Sequence, residues 1–572
     1  MPLPSSRLRG PVPTALALLG ILTLLALFGA RAFHERDLAI DDAYILTRYA
    51  SHLAEGHGFR WNVTSPPVEG FTSPLFVMLL AGLLRLGVAP TAAAAALSII
   101  AITGLVALLV TAAGPTRPGF SIATLPTAFL LVDPGIAVHA SRGLETSAFF
   151  LVAAAQVAIA GAMVRRPAHT TGYGMAAVSF LLVLTRPDGA LIVAVCWLAA
   201  ALALRGRSGD GTQALLHSGV ALALVGAAFA MWKLWYFGAL LPTAYYVKAV
   251  GVGWAGVTDA MAFVADYSVW LVGSALAALG TIVMALSRLP DRWRHVHLET
   301  VIPMAVTLPW LVYSAKIVHE QGFTHRFSFV LVPLAALAAT HALRTAFDVA
   351  TERRWIRPGI LATAGTVAVI GCALMFASPV SHTLQTLRGA PPSDANVIVF
   401  SRLGRAIASA GLGEQISFLN SAAGAAPFLA GARHVDSFGL ATREFSKVVS
   451  IERRLQMIAD SAFDVIEMPF LPASPGAESV DDEPMRFTDY WKRVEEVGRN
   501  ARQYEPTEDG MDAWFATAHS VMRYLRDHTT LVGGANYSGN VMHIYVSRES
   551  HHYQQLVTTL SRELDIPAEQ LR

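Results

Sequence analysis

Charge is scarce in this sequence. Only 15% of its 572 residues are Asp, Glu, Lys or Arg, against about 25% in ordinary globular chains. Hydrophobic residues make up 54% of the chain and the mean hydropathy is +0.47. Water-soluble domains do not bury so much apolar surface, so most of the chain belongs in lipid. Excess charge of either sign is lacking too. The 43 Lys and Arg nearly balance 41 Asp and Glu, leaving +2, and this excludes the basic footprint of a nucleic-acid binder. Cysteine is almost absent. Cys196 and Cys372 both lie in apolar runs, which excludes a disulfide framework and a cysteine metal cluster. No internal repeat, heptad run or low-complexity tail is present.

What is abundant is long apolar runs. A hydrocarbon core of about 30 Å takes about 20 apolar residues to cross as helix. Runs near that length fall at 13–33, 73–89, 92–112, 118–132, 144–163, 172–185, 189–204, 215–236, 268–287, 299–315, 327–345 and 358–378. The first ends in Ala30-Arg31-Ala32, a cleavage-like triplet, but with so many spans following it is expected to stay as a span. Arg7, Arg9, Arg165, Arg166, Arg205, Arg207, Arg288, Arg292, Arg294, Arg344, Arg353 and Arg354 mark the cytoplasmic side. The loops 34–72, 133–143, 186–188, 237–267 and 316–326 then fall outside, with everything after 380. One conflict arises: 73–112 resembles two spans, yet its flanks require an odd number, so one piece is short, re-entrant or broken. The expected fold class is an α-helical integral membrane protein, a multispan bundle of about 11–13 transmembrane helices, with a C-terminal soluble α/β domain.

After residue 380 polar residues become common, and about 190 residues suffice for a domain. The boundary predicts a transmembrane module over 1–380, with 34–72 its first outer loop, and an extracytoplasmic domain over 381–572. Asn396–Phe400, Gln415–Leu419, Asp464–Met468 and His543–Ser547 read as strands. Ser401–Ala410 and His551–Leu564 read as amphipathic helices, and Pro469–Pro484 as a loop. The Asn62-Val63-Thr64 sequon is given no role.

The unusual polar residues gather at the outer ends of the spans: Asp41, Asp42, Arg48, Glu69, Arg142, Glu145, Arg186, Asp188, Lys248, His319, Glu320, His325 and Arg326. Ionisable groups at membrane depth are costly and are kept mostly for function; the plain alternative is snorkelling to headgroups. Asp42 precedes a helical pattern with Tyr44, Ile45, Tyr49 and Leu53 on one face. Asp is a strong N-cap, so Asp42 is expected to cap a surface-lying helix and Asp41 to face a cavity. There Asp41 is favoured over Asp42 as general base. The pair can instead share a divalent cation such as Mg or Mn. Arg142, Arg186, Lys248 and Arg326 form a positive patch suited to a lipid phosphate, or simply to anionic lipid in general. The ring-dense stretch from Trp235 through Tyr245 to Lys248 fits interfacial anchors as well as a sugar site.

Five stretches together carry a resemblance: Asp41-Asp42-Ala43-Tyr44-Ile45 with Arg48 and Gly56-His57-Gly58; Val68-Glu69-Gly70-Phe71-Thr72-Ser73; Ser141-Arg142-Gly143-Leu144-Glu145-Thr146; Leu184-Thr185-Arg186-Pro187-Asp188-Gly189; and Tyr236-Phe237-Gly238-Ala239-Leu240-Leu241-Pro242 on to Lys248. In this order the chain resembles the GT-C class of polyprenyl-phosphate-dependent glycosyltransferases, and most of all the mycobacterial terminal arabinofuranosyltransferase B family. The resemblance implies a multispan bundle with a long first outer loop, in a bacterial inner membrane. It implies a sugar donor on polyprenyl phosphate, such as decaprenyl-phosphoryl-arabinofuranose, and a glycan acceptor of the cell envelope. It also implies that Asp41 or Asp42 is the catalytic base and that the arginines lie near donor phosphate. Glu69, Glu145, Asp188, Tyr245 and His325 join the expected donor site. The chain departs from the pattern at His319-Glu320-Gln321-Gly322-Phe323-Thr324-His325-Arg326-Phe327: the Arg-Phe is kept while the acid of a Gly-Gly-Asp-like loop is displaced. Asp188 also stands where Glu is frequent.

The implied reaction is a single inverting displacement at the anomeric carbon, with the departing phosphate stabilised by Arg or Lys. A donor of another sugar, such as mannose or an amino sugar, is the first alternative. A non-catalytic scaffold for envelope or flagellar assembly is the second. A transporter ranks last, because charge lies at one face and no halves repeat.

Overall fold

Helix dominates because apolar, span-length runs cannot leave backbone N–H and C=O groups unpaired in hydrocarbon. The computed structural model describes residues 12–116, 119–205, 210–248, 254–286, 298–316, 325–352, 395–437, 439–446, 451–461, 463–470, 519–537 and 540–564. The helices are α1 (Val12–His34), α2 (Asp41–Ala54), α3 (Pro74–Arg85), α4 (Pro90–Ala113), α5 (Phe120–Ala123), α6 (Leu125–Val132), α7 (Pro134–Ser141) and α8 (Thr146–Arg165). They continue with α9 (His169–Thr185), α10 (Gly189–Leu204), α11 (Asp210–Phe237), α12 (Thr243–Lys248), α13 (Trp254–Asp266), α14 (Ser268–Leu286), α15 (Leu298–Ser314) and α16 (Leu331–Glu352).

Among the described residues, four helices (α1, α4, α8 and α11) are long and apolar enough to cross a membrane by themselves. Two further bent pairs pass that test jointly: α5–α6 with α7, bent by 54°, and α13 with α14, bent by 72°. The chain is thus membrane-embedded. The conflict over 73–112 resolves onto α3. Its 12 residues span only about 18 Å at 1.5 Å per residue, too short to cross. The apolar run at 358–378 and residues His319 and Glu320 lie outside the described residues.

The helical core forms around α8. Phe149, Phe150, Ala153, Ala154, Val157 and Ala160 are buried, and their repeat of three and four places them on one stripe. Outward-facing Leu and Val on α11, such as Leu216, Leu224 and Val225, face the medium, as expected of a lipid-exposed span.

The C-terminal region is an α/β domain, as the sequence predicts. It contains α17 (Ala395–Ala408), β1 (Ser417–Asn420), α18 (Ala425–Ala430), β2 (Arg433–Asp436), α19 (Arg443–Ser446), α20 (Ile451–Ala459), β3 (Val465–Phe470), β4 (Thr529–Tyr537), β5 (Asn540–Ser547) and α21 (Tyr553–Leu564). The sheet order is β2-β1-β3-β5-β4. Strands β2 and β3 run parallel to β1, while β5 is antiparallel to β3 and to β4. The strands expected near 415–419, 464–468 and 543–547 are present. The one expected at Asn396–Phe400 is the first half of α17. Its β-branched run Val397-Ile398-Val399 suggests a strand, but Val397, Phe400, Leu403 and Ile407 are buried at helical spacing, and tertiary packing overrides propensity. The loop expected over Pro469–Pro484 lies almost wholly outside the described residues; Pro469 and Phe470 close β3.

The helical bundle reaches this domain through α2 and the loop after it, and through the turn between α11 and α12, where Arg443 donates to Phe237 O at 3.2 Å and Gly238 O at 2.6 Å. Arg48, on α2, donates from Nε to Trp61 O at 2.8 Å and from Nη2 to Asn62 Oδ1 at 3.2 Å and Ala432 O at 2.8 Å, while its Nη1 reaches Pro427 O. The Asn62 amide donates to His434 O, and its oxygen accepts from His434 N, each at 2.9 Å. That commitment leaves the sequon asparagine buried. Glu414 accepts from Val63 N at 2.9 Å. Loop and sheet therefore share one hydrogen-bonded interior.

Candidate functional site

Three helix N-termini carry the acids of the site. Glu145 is the residue capping α8, Asp188 caps α10, and Asp42 lies in the first turn of α2. None of the three helices receives a side-chain capping bond. Each N-terminus contributes roughly half a positive charge, and with no capping bond to make the carboxylate oxygens keep other partners.

Those partners are two arginines from interhelix segments. Arg186, just after α9, donates from Nε to both Asp188 oxygens at 3.0 and 3.2 Å and from Nη2 to Asp188 Oδ2 at 2.6 Å. Its Nη1 reaches Glu145 Oε1 at 3.4 Å. Arg326 reaches that same oxygen from Nη2 at 3.4 Å, and its Nη1 is 4.0 Å from Asp42 Oδ2. Arg186 is thus locked and Arg326 loosely held. The Nε of Arg326 is buried without a hydrogen-bond partner among the described residues. Phe149 and Phe327 lie 5.2 and 5.3 Å from the Arg186 guanidinium, within range of a cation–π contact.

Three carboxylates and two guanidiniums leave this chain of contacts with a formal charge of −1. Three helix N-termini at roughly +0.5 each offset it, so the cluster tolerates an anion as well as a proton donor.

The first acid has a different role from the second. Helix α2 starts at Asp41 behind Ile40, the N-cap, so Asp42 does not cap as expected. The two acids occupy successive positions in the first turn, about 100° apart around the axis. The carboxylate of Asp41 turns to the C-terminal domain and accepts from Ala425 N at 2.8 Å. Asp42 turns to Arg326. Gly143 makes the close approach possible. With φ of +78° it takes a conformation that favours glycine, and a Cβ there would sit 2.9 Å from that of Ala43. Arg142 braces the chain entering α2, donating to Leu38 O at 2.9 Å and accepting from Ile40 N at 3.3 Å through its carbonyl.

Other expected site residues lie in different settings. Arg48 is spent on the interdomain contacts above, and burial lowers its pKa to about 10. Glu69 forms a buried ion pair with Lys233 at 2.8 Å; burial pushes its pKa up to about 7 against the opposing pull of Lys233. Its carbonyl accepts from Thr243 N at 2.9 Å, and the Thr243 hydroxyl reaches Leu440 O. Tyr245 is exposed on α12. Lys248 ends that helix, its side chain outside the described residues. His325 is held by Asp259 and Asp266 on α13 at 3.1 and 2.9 Å.

Of the residues expected in the site, the structure therefore joins Asp42, Glu145, Arg186, Asp188 and Arg326 by contact, with Arg142 and Asp41 beside Asp42. Sequence reasoning missed Lys233, Phe149, Asp259 and Asp266. A polar residue inside a long apolar run was the available signal for Lys233. Asp41 and Asp42 remain the acids to consider for a cation, but no group of three or more His, Cys, Asp or Glu is placed to hold a metal ion among the described residues.

No protein-family model matches the sequence, and no curated protein matches it. Among solved structures, the chain is similar to the crystal structure of ArnT from Cupriavidus metallidurans bound to undecaprenyl phosphate, with 15% identity over 93% of this chain and 98% of that one and a TM-score of 0.39.

Proposed function

We propose that the protein is a membrane glycosyltransferase that moves a sugar from a polyprenyl-phosphate donor to a glycan acceptor of the cell envelope. The observation that carries this reading is the contact chain Asp42–Arg326–Glu145–Arg186–Asp188. It places one loosely held guanidinium beside one carboxylate at converging helix ends of a membrane-embedded chain. The five sequence stretches named above point to arabinofuranose as the sugar and to the outer face of a bacterial inner membrane as the place.

In this mechanism the acceptor hydroxyl approaches Asp42, which takes its proton as the oxygen attacks the anomeric carbon. The bond from that carbon to the phosphate oxygen breaks, with an oxocarbenium-like transition state. A single displacement inverts configuration. Arg326 follows the phosphate as charge develops on it, exchanging the long contacts to Glu145 and Asp42 for short charge-assisted bonds. Asp188 holds Arg186, and Arg186 holds Glu145, so the cation that moves has a fixed frame. Asp42, rather than Asp41, is the base, because Asp41 is occupied at Ala425.

The test is transfer by purified protein in lipid vesicles. A radiolabelled polyprenyl-phosphoryl-arabinofuranose and an oligosaccharide acceptor are supplied, with other lipid-linked sugars in parallel. Transfer by wild type and its loss in Asp42→Asn support the reading. Transfer of a different sugar corrects the donor alone. No transfer with any donor, and full cellular function of Asp42→Asn, overturn it.

A further inference from the structure

His325 stands immediately before the loosely held Arg326. Among the described residues it is the only non-glycine residue with positive φ, at 55°. That conformation is unfavourable for an L-residue, so its surroundings must hold it there. They do so through the ring. Nδ1 lies 3.1 Å from Asp259 Oδ1 and Nε2 lies 2.9 Å from Asp266 Oδ2. The two acids are two turns apart on α13 and share a face. Between them Phe263 places its ring 5.8 Å from the imidazole, edge to face.

The chain after His325 is equally fixed. The His325 carbonyl accepts from Ser328 N at 2.8 Å and Phe329 N at 2.9 Å. Trp310 on α15 donates to Phe327 O at 2.7 Å. Arg326 is therefore carried on a short turn pinned to α13 at one side and α15 at the other. Its own side-chain contacts, at 3.4 and 4.0 Å, are too long to determine where it stands.

We infer that His325 is a positioning residue: its two-carboxylate clamp on α13 sets Arg326 over Asp42 and Glu145, and thereby sets how tightly the phosphate of a lipid-linked donor is bound. This rests on the reading of the site as a polyprenyl-phosphate site. His325 acts here through Arg326 rather than by touching the donor. With both ring nitrogens at carboxylates, the imidazole has no free nitrogen to offer a phosphate.

The experiment measures binding of unreactive polyprenyl monophosphate to full-length protein in nanodiscs, alongside donor KM and kcat. His325→Gly keeps the backbone conformation accessible and removes the ring; Asp266→Asn keeps shape and removes a charge; Asp266→Glu keeps the charge. Thermal midpoints establish that each variant is folded, and hydrogen exchange at the Ser328 and Phe329 amides reads the clamp itself. The expected result is a loss of about tenfold in binding for His325→Gly and Asp266→Asn, the scale of one charge-assisted hydrogen bond. Donor KM rises with it and kcat falls as well, because Arg326 also meets the charge that develops on the phosphate; exchange at the two amides quickens, and Asp266→Glu binds like wild type. The double variant His325→Gly/Asp266→Asn loses no more than either single one. Unchanged binding by folded His325→Gly overturns the inference, as does a loss confined to His325 variants with Asp266→Asn unaffected, which would mean direct contact with the donor. Wild type that binds no polyprenyl phosphate overturns the proposed function, and the inference falls with it.

Discussion

The carboxylate of Asp41 accepts a hydrogen bond from the backbone N–H of Ala425 at 2.8 Å, across 384 positions of sequence. Its neighbour Asp42 faces Arg326 instead. Two adjacent acids are thereby given two jobs, and substitution separates them. Asp41→Asn retains an oxygen that can accept from Ala425, and transfer is expected to stay within about fivefold of wild type, while Asp41→Leu lowers stability by about 1–3 kcal/mol through the orphaned N–H. Asp42→Asn is expected to lower kcat by about 10²–10⁴, the usual contribution of a general base, at an unchanged thermal midpoint. Steady-state transfer and thermal unfolding, run on one set of preparations, check both.

Arg48 is a second point of attack. It serves four oxygens on both sides of the interdomain contact. Arg48→Leu keeps the apolar stem and orphans those acceptors, at a cost of about 3–5 kcal/mol in total. Limited proteolysis is the sensitive measurement: the first loop, between α2 and α3, is expected to be cut at protease levels that leave wild type intact.

Glu467, on β3, is fully buried and accepts from Ser421 N and Oγ at 2.9 and 3.0 Å. Burial pushes its pKa from 4.5 up to about 7, partly countered by the Ser421 bonds. The sign follows from proton count. Between pH 4.5 and about 7 the folded chain keeps a proton that the unfolded chain has lost, so this group's contribution falls as pH rises through the window and is constant above it. Glu467→Gln stays neutral and is expected to remove that slope, raising unfolding free energy at pH 8 by up to about 3 kcal/mol. Denaturation at a series of pH values tests it.

Gly143→Ala tests the packing behind the site. The new methyl would need φ of +78° and would press on Ala43, one residue from Asp42. A fall in kcat of about tenfold or more is expected, from displacement of the first turn of α2 relative to Glu145, together with a lower midpoint, since alanine is strained at this φ. An unchanged kcat would mean that the first turn of α2 does not set the rate.

Much of this organisation was legible in the sequence because charge stands out in an apolar chain. Glu145, Arg186, Asp188 and Arg326 could be picked out at the ends of apolar runs, and they do meet. The roles within the acid pair were not legible, since which of two adjacent residues faces the C-terminal domain depends on rotation about α2. Arg48 was misleading for a different reason. An arginine on an amphipathic helix reads as a surface cation, but here its partners include backbone carbonyls of Pro427 and Ala432, and carbonyls leave no mark in a sequence. The short β2, Arg433–Asp436, escaped notice because its alternation is carried by one His and one Asp that the fold buries.

The reach of Arg48 has a temporal side. Its last acceptor, Ala432 O, lies 384 residues downstream. At roughly 5–20 residues per second, synthesis needs roughly 20–80 s to supply it. Throughout that interval Arg48 has only Trp61 O and Asn62 Oδ1 of its four acceptors, and the Asn62 amide and the Trp61 indole N–H, which both end on His434, lack their final partner. The loop must therefore stay hydrated, or be held by another factor, until the sheet arrives. A nascent chain stopped before residue 395 is expected to present that loop to quality-control proteases, and wild type is expected to gain protease resistance there only after release of the full chain.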